Sequence, residues 1–412
     1  MPPLDGIRVV EWTGTLPAAF CARILCDLGA EVLKLEPPGA GDPLRRCGPF
    51  IPDTAYGEDG ALFAYANHGK RGVTLDPARP SGLALFKRLL KQADVLIESH
   101  PAALLETLGL NADMLADINP ALVVLSVTPL GRHAAPLATT DLTLTHHAGY
   151  AFHQARPVES PEAQPPVAGA DREVALATGV AAANAALCGI LEAQQTGVGQ
   201  HIDCAQADVI AHLLIEPVAD YGRGEREFSR LRENLRGTEV AGGLIWLLPC
   251  TDGFVMVSPR EQHQWERWVE LIGNPEWTRN AALCGDREKR NANWGILQDE
   301  MSLWTQQRTR EEVFSRAQSA RVACFPVSGP RDLLENQQLQ ARAFFDHLQT
   351  AAGSTLAMPG LPFELRTSAG AALPRAREVR APALGEANHE VLSARLGVSP
   401  QELETLRLHG VV

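Results

Sequence analysis

Side chains suited to acid–base chemistry gather in one stretch of this 412-residue chain, residues 131–172. Asp141 is followed by the adjacent histidines His146 and His147, and Asp171 lies near the end of the stretch. Histidine gains and loses a proton near neutral pH, and a nearby carboxylate can share that work. Adjacent residues on a helix point about 100° apart, so we expect one of the two histidines to face a site. The pattern predicts an acid–base centre.

Each of these residues also has a purely structural interpretation. Asp141 can cap a helix, which the sequence predicts around 141–150, and the histidines can be ordinary hydrogen-bonded side chains. Asp171 can be a charge favoured near a helix N-terminus. No His-x-His or His-x-x-x-His spacing occurs, and the eight cysteines include no Cys-x-x-Cys pair. The sequence therefore predicts no metal site, and we expect the cysteines to be reduced structural thiols.

The elements that must position these residues follow an alternating pattern. Apolar segments of strand length, each followed by a helical pattern, recur through the first third of the chain and predict a parallel sheet with flanking helices. The predicted strands are 8–12, 31–35, 95–98 and 122–127, and the predicted helices are 17–28, 80–92 and 104–117. The fold class is therefore α/β.

A long Ala-rich helix is predicted at 173–195, directly after the acid–base stretch. Its apolar residues occupy nearly every face, which is typical of a helix buried on all sides or at a subunit interface. A strand at 200–204 and helical sequence to 221 follow.

The predicted domain boundaries follow changes in composition. Residues 1–221 form the N-terminal part of a large α/β domain, and the charged segment 222–242 reads as a linker. Residues 243–330 form a smaller α+β domain that opens with a hairpin around 251–253. Residues 331–412 return to the large domain.

Charge and hydropathy limit the partners and the location. The net charge of −12 argues against nucleic-acid binding, which requires clustered Lys and Arg. The N-terminus lacks the pattern of a signal peptide. The longest apolar stretch, 173–195, is interrupted by Asn184 and Glu192, so no membrane span is predicted. We expect a cytoplasmic protein.

Several short motifs, in a fixed order along the whole chain, carry a family resemblance. They lie at 3–9, 28–42, 70–76, 93–98, 196–200 (T-G-V-G-Q), 249–253 (P-C-T-D-G), 381–386 and 410–412. Together they resemble the class III CoA-transferases, a family that includes the alpha-methylacyl-CoA racemases. The resemblance implies a large Rossmann-like domain with a parallel sheet built from both chain ends, a smaller α+β domain, and an interlocked dimer.

The resemblance also locates the family's catalytic aspartate, which lies four residues before a glycine of the long helix. That glycine is Gly179, so Ala175 occupies the aspartate position. The family aspartate attacks the thioester and forms an acyl intermediate, which a methyl group cannot do. Asp171, about one turn away, is an alternative nucleophile. The racemase base pair is incomplete as well, because Thr140 precedes Asp141 where that branch has a histidine.

Basic residues that hold the phosphates of CoA are reduced in number relative to the family. Pro37, Thr107 and Thr139 stand at three such positions, and each lost charge-assisted contact weakens phosphate binding. The remaining candidates are Lys70, Arg71 and Arg45. Other residues that the resemblance brings to the cleft are His68, Glu11 and Glu239, the last of these near the segment that closes over substrate in relatives.

Three hypotheses remain open from the sequence. The first is an enzyme acting on an acyl-CoA or a related small carboxylic acid by elimination, isomerisation, hydration or direct acyl transfer, without an aspartyl intermediate. The second is a non-catalytic subunit that pairs with an aspartate-bearing homologue, forming a heterodimer in place of a homodimer. The third is a CoA-transferase with its nucleophile shifted to Asp171. Coenzyme A or an acyl-CoA is the expected ligand, with no metal.

Overall fold

The computed structural model describes residues 2–50, 60–135, 137–153, 160, 162–167, 169, 172–223, 244–349, 355–368, 370, 372 and 380–412. The chain forms two compact units. The larger unit comprises Met1–Gln154, Pro166–Arg223 and Arg342–Val412. The smaller unit comprises Ala155–Pro165 and Gly224–Ala341.

A six-stranded parallel sheet forms the centre of the larger unit, with strand order β3-β2-β1-β4-β5-β6. The strands are β1 Arg8–Trp12, β2 Glu31–Glu36, β3 Arg71–Thr74, β4 Val95–Glu98, β5 Val123–Thr128 and β6 His201–Ala205. Val9 of β1 pairs with Val32 of β2 and with Val95 of β4. The strand order therefore reverses beside β1, the point at which sheets of this type commonly bind ligands.

Helices cover both faces of this sheet, which explains why β4 and β5 are buried along their whole lengths. The helices of the N-terminal part are α1 Leu16–Asp27, α2 Ala61–Asn67, α3 Pro80–Leu90, α4 Ala102–Thr107, α5 Ala112–Ile118, α6 Asp141–His147, α7 Tyr150–His153, α8 Glu173–Thr196, α9 Gln206–His212 and α10 Ile215–Gly222. One face packs on α1 and α8, in a core that includes Val9 and Ala182, and the opposite face packs on α3 around Phe86.

The C-terminal end of the chain completes the core on the α3 face. A π-helical segment, His389–Arg395, and helix α18, Pro400–Leu408, contribute Val391 and Leu406 to the same cluster as Phe86. The predicted α/β fold with a large domain that draws on both chain ends is confirmed. The C-terminal end supplies helices to it, and the six strands of the parallel sheet all precede residue 206.

Helix α8 is buried on one side only. The predicted alternative of a helix buried on all sides is therefore wrong. Ala182 and Ala186 are fully buried, whereas Val180 and Leu191 are 51% and 57% exposed. The helix is long and apolar enough to cross a membrane, but half of its most apolar window is buried in the protein, as in the core helices of soluble proteins. Its exposed side fits the other alternative, a subunit interface, which stays a prediction.

The T-G-x-G-Q motif forms the turn from α8 into β6. Gly197 ends the helix in the left-handed conformation, with φ of 73°. Gly199 packs closely against the backbone just before β5. A Cβ atom at residue 199 would lie 2.0 Å from the carbonyl oxygen of Leu122. The two glycines of the motif are thus required for different reasons, one for backbone conformation and one for space.

Three predicted helices are divided in the structure. The predicted helix 104–117 is α4 and α5, separated at Gly109, where φ is 63°. The helical segment around 141–150 is α6 and α7, separated near Gly149, where φ is 84°. The sequence to 221 forms α9 and α10. At the first two breaks a left-handed glycine interrupts the helical hydrogen bonds without interrupting the apolar spacing, so the periodicity conceals them.

The smaller unit contains an antiparallel sheet packed on helices. Its strands are β7 Trp246–Cys250, β8 Gly253–Val257 and β9 Cys324–Pro326, and the predicted hairpin around 251–253 is confirmed. Its helices are α11 Gln262–Leu271, α12 Ala281–Cys284, α13 Arg287–Ala292, α14 Trp294–Thr305, α15 Arg310–Ser319, α16 Pro330–Leu334 and α17 Gln337–Ala341. A hairpin of β10 Phe345–Gln349 and β11 Thr355–Pro359 belongs to the larger unit.

Candidate active site

Ala175 lies in the first turn of α8 and has no exposed surface. It belongs to an apolar cluster with Leu16, Ala19, Leu44 and Phe63, which we call the Ala175 cluster. Its methyl group offers no nucleophile. The cluster itself is apolar, so an aspartate at this position would be removed from water among apolar side chains.

A network of fully buried charges adjoins the Ala175 cluster. Lys34 Nζ lies 2.8 Å from Glu11 Oε1 and 2.6 Å from Asp42 Oδ2. Lys70 Nζ lies 2.6 Å from Glu11 Oε2 and donates to the carbonyl oxygen of Ala19 at 2.7 Å. Ala19 is itself a member of the Ala175 cluster, so the charges and the apolar residues share a boundary.

The two lysines of this network respond differently to burial. Burial alone disfavours the charged form of each amine. For Lys34 the two carboxylates of Glu11 and Asp42 outweigh burial and raise the pKa above its ordinary value. For Lys70 burial outweighs the attraction of Glu11, so the pKa is lowered. Lys70 therefore depends more on its single carboxylate partner to remain charged.

Arg45 extends the network towards Phe63. Its Nε and a terminal nitrogen each donate to a different oxygen of Glu36 at 2.7 Å, and the guanidinium lies 3.9 Å from the centre of the Phe63 ring. The backbone nitrogen of Asp42 donates to Glu36 as well, at 2.8 Å. A bidentate pair of this kind fixes the guanidinium plane.

The predicted CoA-phosphate ligands are thus engaged within the chain. Lys70 and Arg45 are buried beside Glu11 and Glu36. Arg71 is half-exposed and forms ion pairs with Glu31, at 3.2 Å, and with Glu390. A role for these three residues in binding CoA stays a prediction.

His68, which the resemblance also brings to the cleft, is a buried structural residue in its contacts. Its Nδ1 lies 3.1 Å from the carbonyl oxygen of Tyr65, and its Nε2 lies 3.3 Å from Asp27 Oδ1. Asp27 at the same time pairs with the buried Arg23 at 3.2 Å.

Asp141 begins α6 but does not cap it. The cap is Thr140, whose hydroxyl oxygen accepts a hydrogen bond from the backbone nitrogen of Thr143 at 3.2 Å. Asp141 Oδ2 accepts from Arg172 at 3.1 Å, and Oδ1 accepts from the side-chain amide of Gln206 at 3.3 Å. The capping interpretation is therefore wrong, and Asp141 instead links the start of α6 to the starts of α8 and α9.

His146 and His147 are both exposed and lie apart from this carboxylate link. Nδ1 of His146 lies 2.7 Å from the carbonyl oxygen of Leu142, and its Nε2 lies 3.4 Å from that of Pro166. Within the described residues neither histidine hydrogen-bonds to Asp141. Asp171 and Glu239 lie outside the described residues.

Arg172 is a partner of the candidate residue Asp141 that the sequence did not reveal. It precedes α8 in the left-handed conformation, with φ of 65°, which is uncommon for a residue with a side chain. Its pairing with Asp141 spans 31 positions in sequence. The sequence identified its neighbour Asp171 as a candidate nucleophile, but no local sequence pattern identifies Arg172.

A second polar chain, also unforeseen, joins β5 to the beginning of β6. A terminal nitrogen of Arg132 lies 3.0 Å from His201 Nδ1, and Ser126 Oγ lies 2.9 Å from His201 Nε2. Arginine can only donate, so Nδ1 accepts and the protonated Nε2 donates to Ser126. Burial, followed by the charge of Arg132, lowers the pKa of His201 to about 4. Burial raises the pKa of the neighbouring Glu98.

Among the described residues, no three His, Cys, Asp or Glu side chains are grouped as a metal ion would require. The charged or titratable side chains described above are carboxylates, amines, guanidinium groups and imidazoles.

Comparisons with known proteins agree along nearly the whole chain. The sequence profile of CoA-transferase family III matches residues 4–388. The succinyl-CoA:(R)-benzylsuccinate CoA-transferase subunit BbsE of Thauera aromatica is 32% identical, over 98% of this chain and 97% of that protein. The succinyl-CoA–L-malate CoA-transferase beta subunit of Chloroflexus aurantiacus is 30% identical, over 100% and 98%. A crystal structure of a CaiB/BaiF family protein from Brucella suis superposes with a TM-score of 0.81 at 27% identity, over 95% and 99% of the two chains. This chain belongs to CoA-transferase family III.

Proposed function

We propose that this chain is the subunit of a hetero-oligomeric CoA-transferase that does not itself carry the aspartyl nucleophile. It pairs with a homologous subunit that has an aspartate at the position of Ala175. The substrates are a CoA thioester and a small carboxylic acid. The observation that carries the proposal is the complete burial of Ala175 in an apolar cluster, where its methyl group offers no nucleophile.

The names of the relatives support a division of labour between subunits. The Thauera protein is described as one subunit of its enzyme, and the Chloroflexus enzyme has an alpha and a beta subunit, both similar to this chain. In such a pair one aspartate can complete the reaction. It attacks the thioester carbonyl to give a mixed anhydride and free CoA thiolate, and the thiolate then attacks the aspartyl carbonyl and releases the donor acid. The acceptor carboxylate displaces the thiolate to give a second anhydride, and the thiolate attacks its acceptor acyl carbonyl, which forms the new thioester and regenerates the aspartate.

The role left to this chain is structural support of the transferring subunit. The closed Ala175 cluster and its adjoining buried charges give it a rigid frame. The exposed side of α8 offers apolar surface to a neighbour, which is compatible with the interlocked arrangement expected of the family. We place the complex in the cytoplasm, where acyl-CoA substrates are formed.

The experiment is adduct trapping on the complex isolated from its source. The complex is incubated with acyl-CoA and hydroxylamine, digested, and mapped by mass spectrometry. We expect a hydroxamate on an aspartate of the homologous subunit and an unmodified form of this chain. An adduct on this chain, at Asp171 or elsewhere, overturns the proposal. So does CoA transfer by this chain purified alone.

A second candidate function is acid–base chemistry on an acyl-CoA at Asp141. The observation that favours it is the double engagement of this carboxylate by Arg172 and Gln206 at the start of α8, which orients it firmly. The test is turnover of acyl-CoA by isomerisation or hydration. If this function holds, Asp141→Asn lowers turnover by a factor on the order of 100 or more, whereas the matched control Asp208→Asn on α9 does not. Full activity of the first variant rejects it.

A further inference from the structure

A cavity of about 320 Å³ lies in the larger unit and borders Asp27, the partner of Arg23 and His68. Its walls come from the N-terminal turn, the end of α1, the beginning of the C-terminal part at Arg342, residues between 361 and 365, and Ala372. It shares no residue with the Ala175 cluster or with the buried charge network. Its volume lies at the lower end of the roughly 300–1,000 Å³ range of small-molecule sites.

The walls of this cavity are largely apolar. They include Pro3, Leu28, Leu361, Phe363 and Leu365. Phe363 and Leu365 are 42% and 39% exposed, so the cavity opens to solvent on this side. An apolar molecule entering the cavity would cover this surface and be favoured by its removal from water.

The two acidic residues of the lining already have cationic partners. Asp27 is buried, with Oδ2 3.2 Å from Arg23 Nε and Oδ1 3.3 Å from His68 Nε2. Glu364 lies 2.9 Å from a terminal nitrogen of Arg366. Their capacity to bind a ligand cation is therefore reduced.

Arg342 differs from these two acidic residues, because its charge has no partner in the described ranges. It lines the same cavity, and it forms no ion pair or hydrogen bond with any residue in the described ranges. A guanidinium presents a planar set of donors that matches a carboxylate. The lining thus combines apolar walls with one positive charge, that of Arg342, which has no partner among the described residues.

We propose that this cavity is a second small-molecule site, which binds a carboxylic acid with an apolar body of a few carbon atoms or one ring. The carboxylate pairs with Arg342, and the apolar body packs against Leu361, Phe363 and Leu365. The site is separate from the one at which the family performs acyl transfer, and it does not depend on the subunit role proposed above.

The test uses the full chain and three probes of one shape. 3-Phenylpropanoate, 3-phenylpropan-1-ol and 3-phenylpropan-1-amine carry a negative, neutral and positive head group on the same body. Binding is measured by isothermal titration calorimetry and by saturation-transfer NMR. We expect the acid to bind at least about tenfold more tightly than the alcohol, as one charge-assisted contact provides, and the amine to bind most weakly.

Two variants locate the site. Arg342→Gln keeps a polar side chain but removes the charge, and we expect it to abolish the preference for the acid over the alcohol. Phe363→Ala should weaken both. The matched control is Arg279→Gln, at an exposed arginine of the smaller unit that does not line the cavity, and it should bind as the parent does. Equal binding of acid and amine, or an unchanged preference in Arg342→Gln, overturns the proposal.

Discussion

The ammonium group of Lys70 lies 2.6 Å from Oε2 of Glu11, and both side chains are completely shielded from solvent. Glu11 is shared, because its other oxygen lies 2.8 Å from Lys34. Lys70 in turn donates to Asn67 at 2.8 Å. Each member therefore satisfies the charge of its neighbours, and removal of one leaves another uncompensated in a medium that solvates it poorly.

Lys70→Met tests this relationship through stability. Methionine nearly conserves the volume but removes the charge, so Glu11 keeps only Lys34. We expect the free energy of unfolding to fall by about 3 kcal/mol or more, the usual effect of breaking a buried pair. Urea denaturation measures it. Arg8→Met is the control, since Arg8 and Asp94 are 3.7 Å apart and substantially exposed, and exposed pairs contribute about 0–1 kcal/mol. Equal losses in the two variants would contradict the expectation.

Ala175→Asp tests whether residue 175, at the position of the family's catalytic aspartate, is inaccessible to solvent and substrate. Burial in the apolar cluster should raise the pKa of the new carboxyl group above its unfolded value of about 3.9. The folded state then binds more protons than the unfolded state at intermediate pH, so the variant loses stability as pH rises. We expect a larger deficit at pH 8 than at pH 4.5, by denaturant titration. Ala175→Asn, equal in shape but unable to titrate, should show a deficit independent of pH.

The opposite result for Ala175→Asp is also informative. A stable variant at pH 8 that acquires a hydroxylamine-sensitive acyl adduct would show that the position is open to solvent and substrate. That outcome would remove the structural basis of the subunit proposal.

His201→Gln tests the neutral histidine at the sheet edge. Glutamine can accept from Arg132 and donate to Ser126 as the neutral imidazole does. The pKa of His201 is about 4 in the folded protein, against 6.5 ordinarily. The unfolded state therefore takes up the proton first, and stability falls as pH decreases from about 6.5 towards 4. The melting temperature of the variant should depend less on pH in this window. An unchanged slope would mean that His201 is readily protonated in the folded state.

Gly199→Ala tests the close approach in the T-G-x-G-Q turn. The new methyl group would meet the carbonyl oxygen of Leu122 at 2.0 Å, so the turn must shift. We expect a loss of about 1–3 kcal/mol in the free energy of unfolding. Gly295→Ala is the control, because this helical glycine has no heavy atom within 4 Å of the new position, and it should gain about 0.5–1 kcal/mol. A neutral effect at residue 199 would show that the turn adapts.

The sequence predicts the central sheet well for a physical reason. Strands such as β4 and β5 are buried on both faces, so they appear as short apolar runs bounded by polar turns. Strand β3, Arg71–Thr74, escaped the prediction because it is short and carries a glycine and a charged residue. It was identified only as part of a motif.

The site was less predictable, because its contacts join distant positions. Lys70 looks in sequence like an exposed phosphate ligand, but the parallel arrangement of β1 and β2 and the end of α2 bring it to Glu11, 59 positions away. Arg172, whose backbone is left-handed, pairs with Asp141 across 31 positions of sequence. Neither contact produces a periodic or local pattern in the sequence. The absence of an aspartate at residue 175, by contrast, could be recognised from the order of the family motifs alone.

The buried network described around Lys34 has a consequence for how the sequence can vary. Its three cations, Lys34, Lys70 and Arg45, are matched by three anions, Glu11, Glu36 and Asp42, so the group is electrically neutral as a whole. A single substitution that alters charge leaves an odd ion inside the protein, whereas a matched double substitution does not. Across related sequences these six positions should therefore be exchanged in pairs of opposite sign, and an alignment of subunits would show them as co-varying sites.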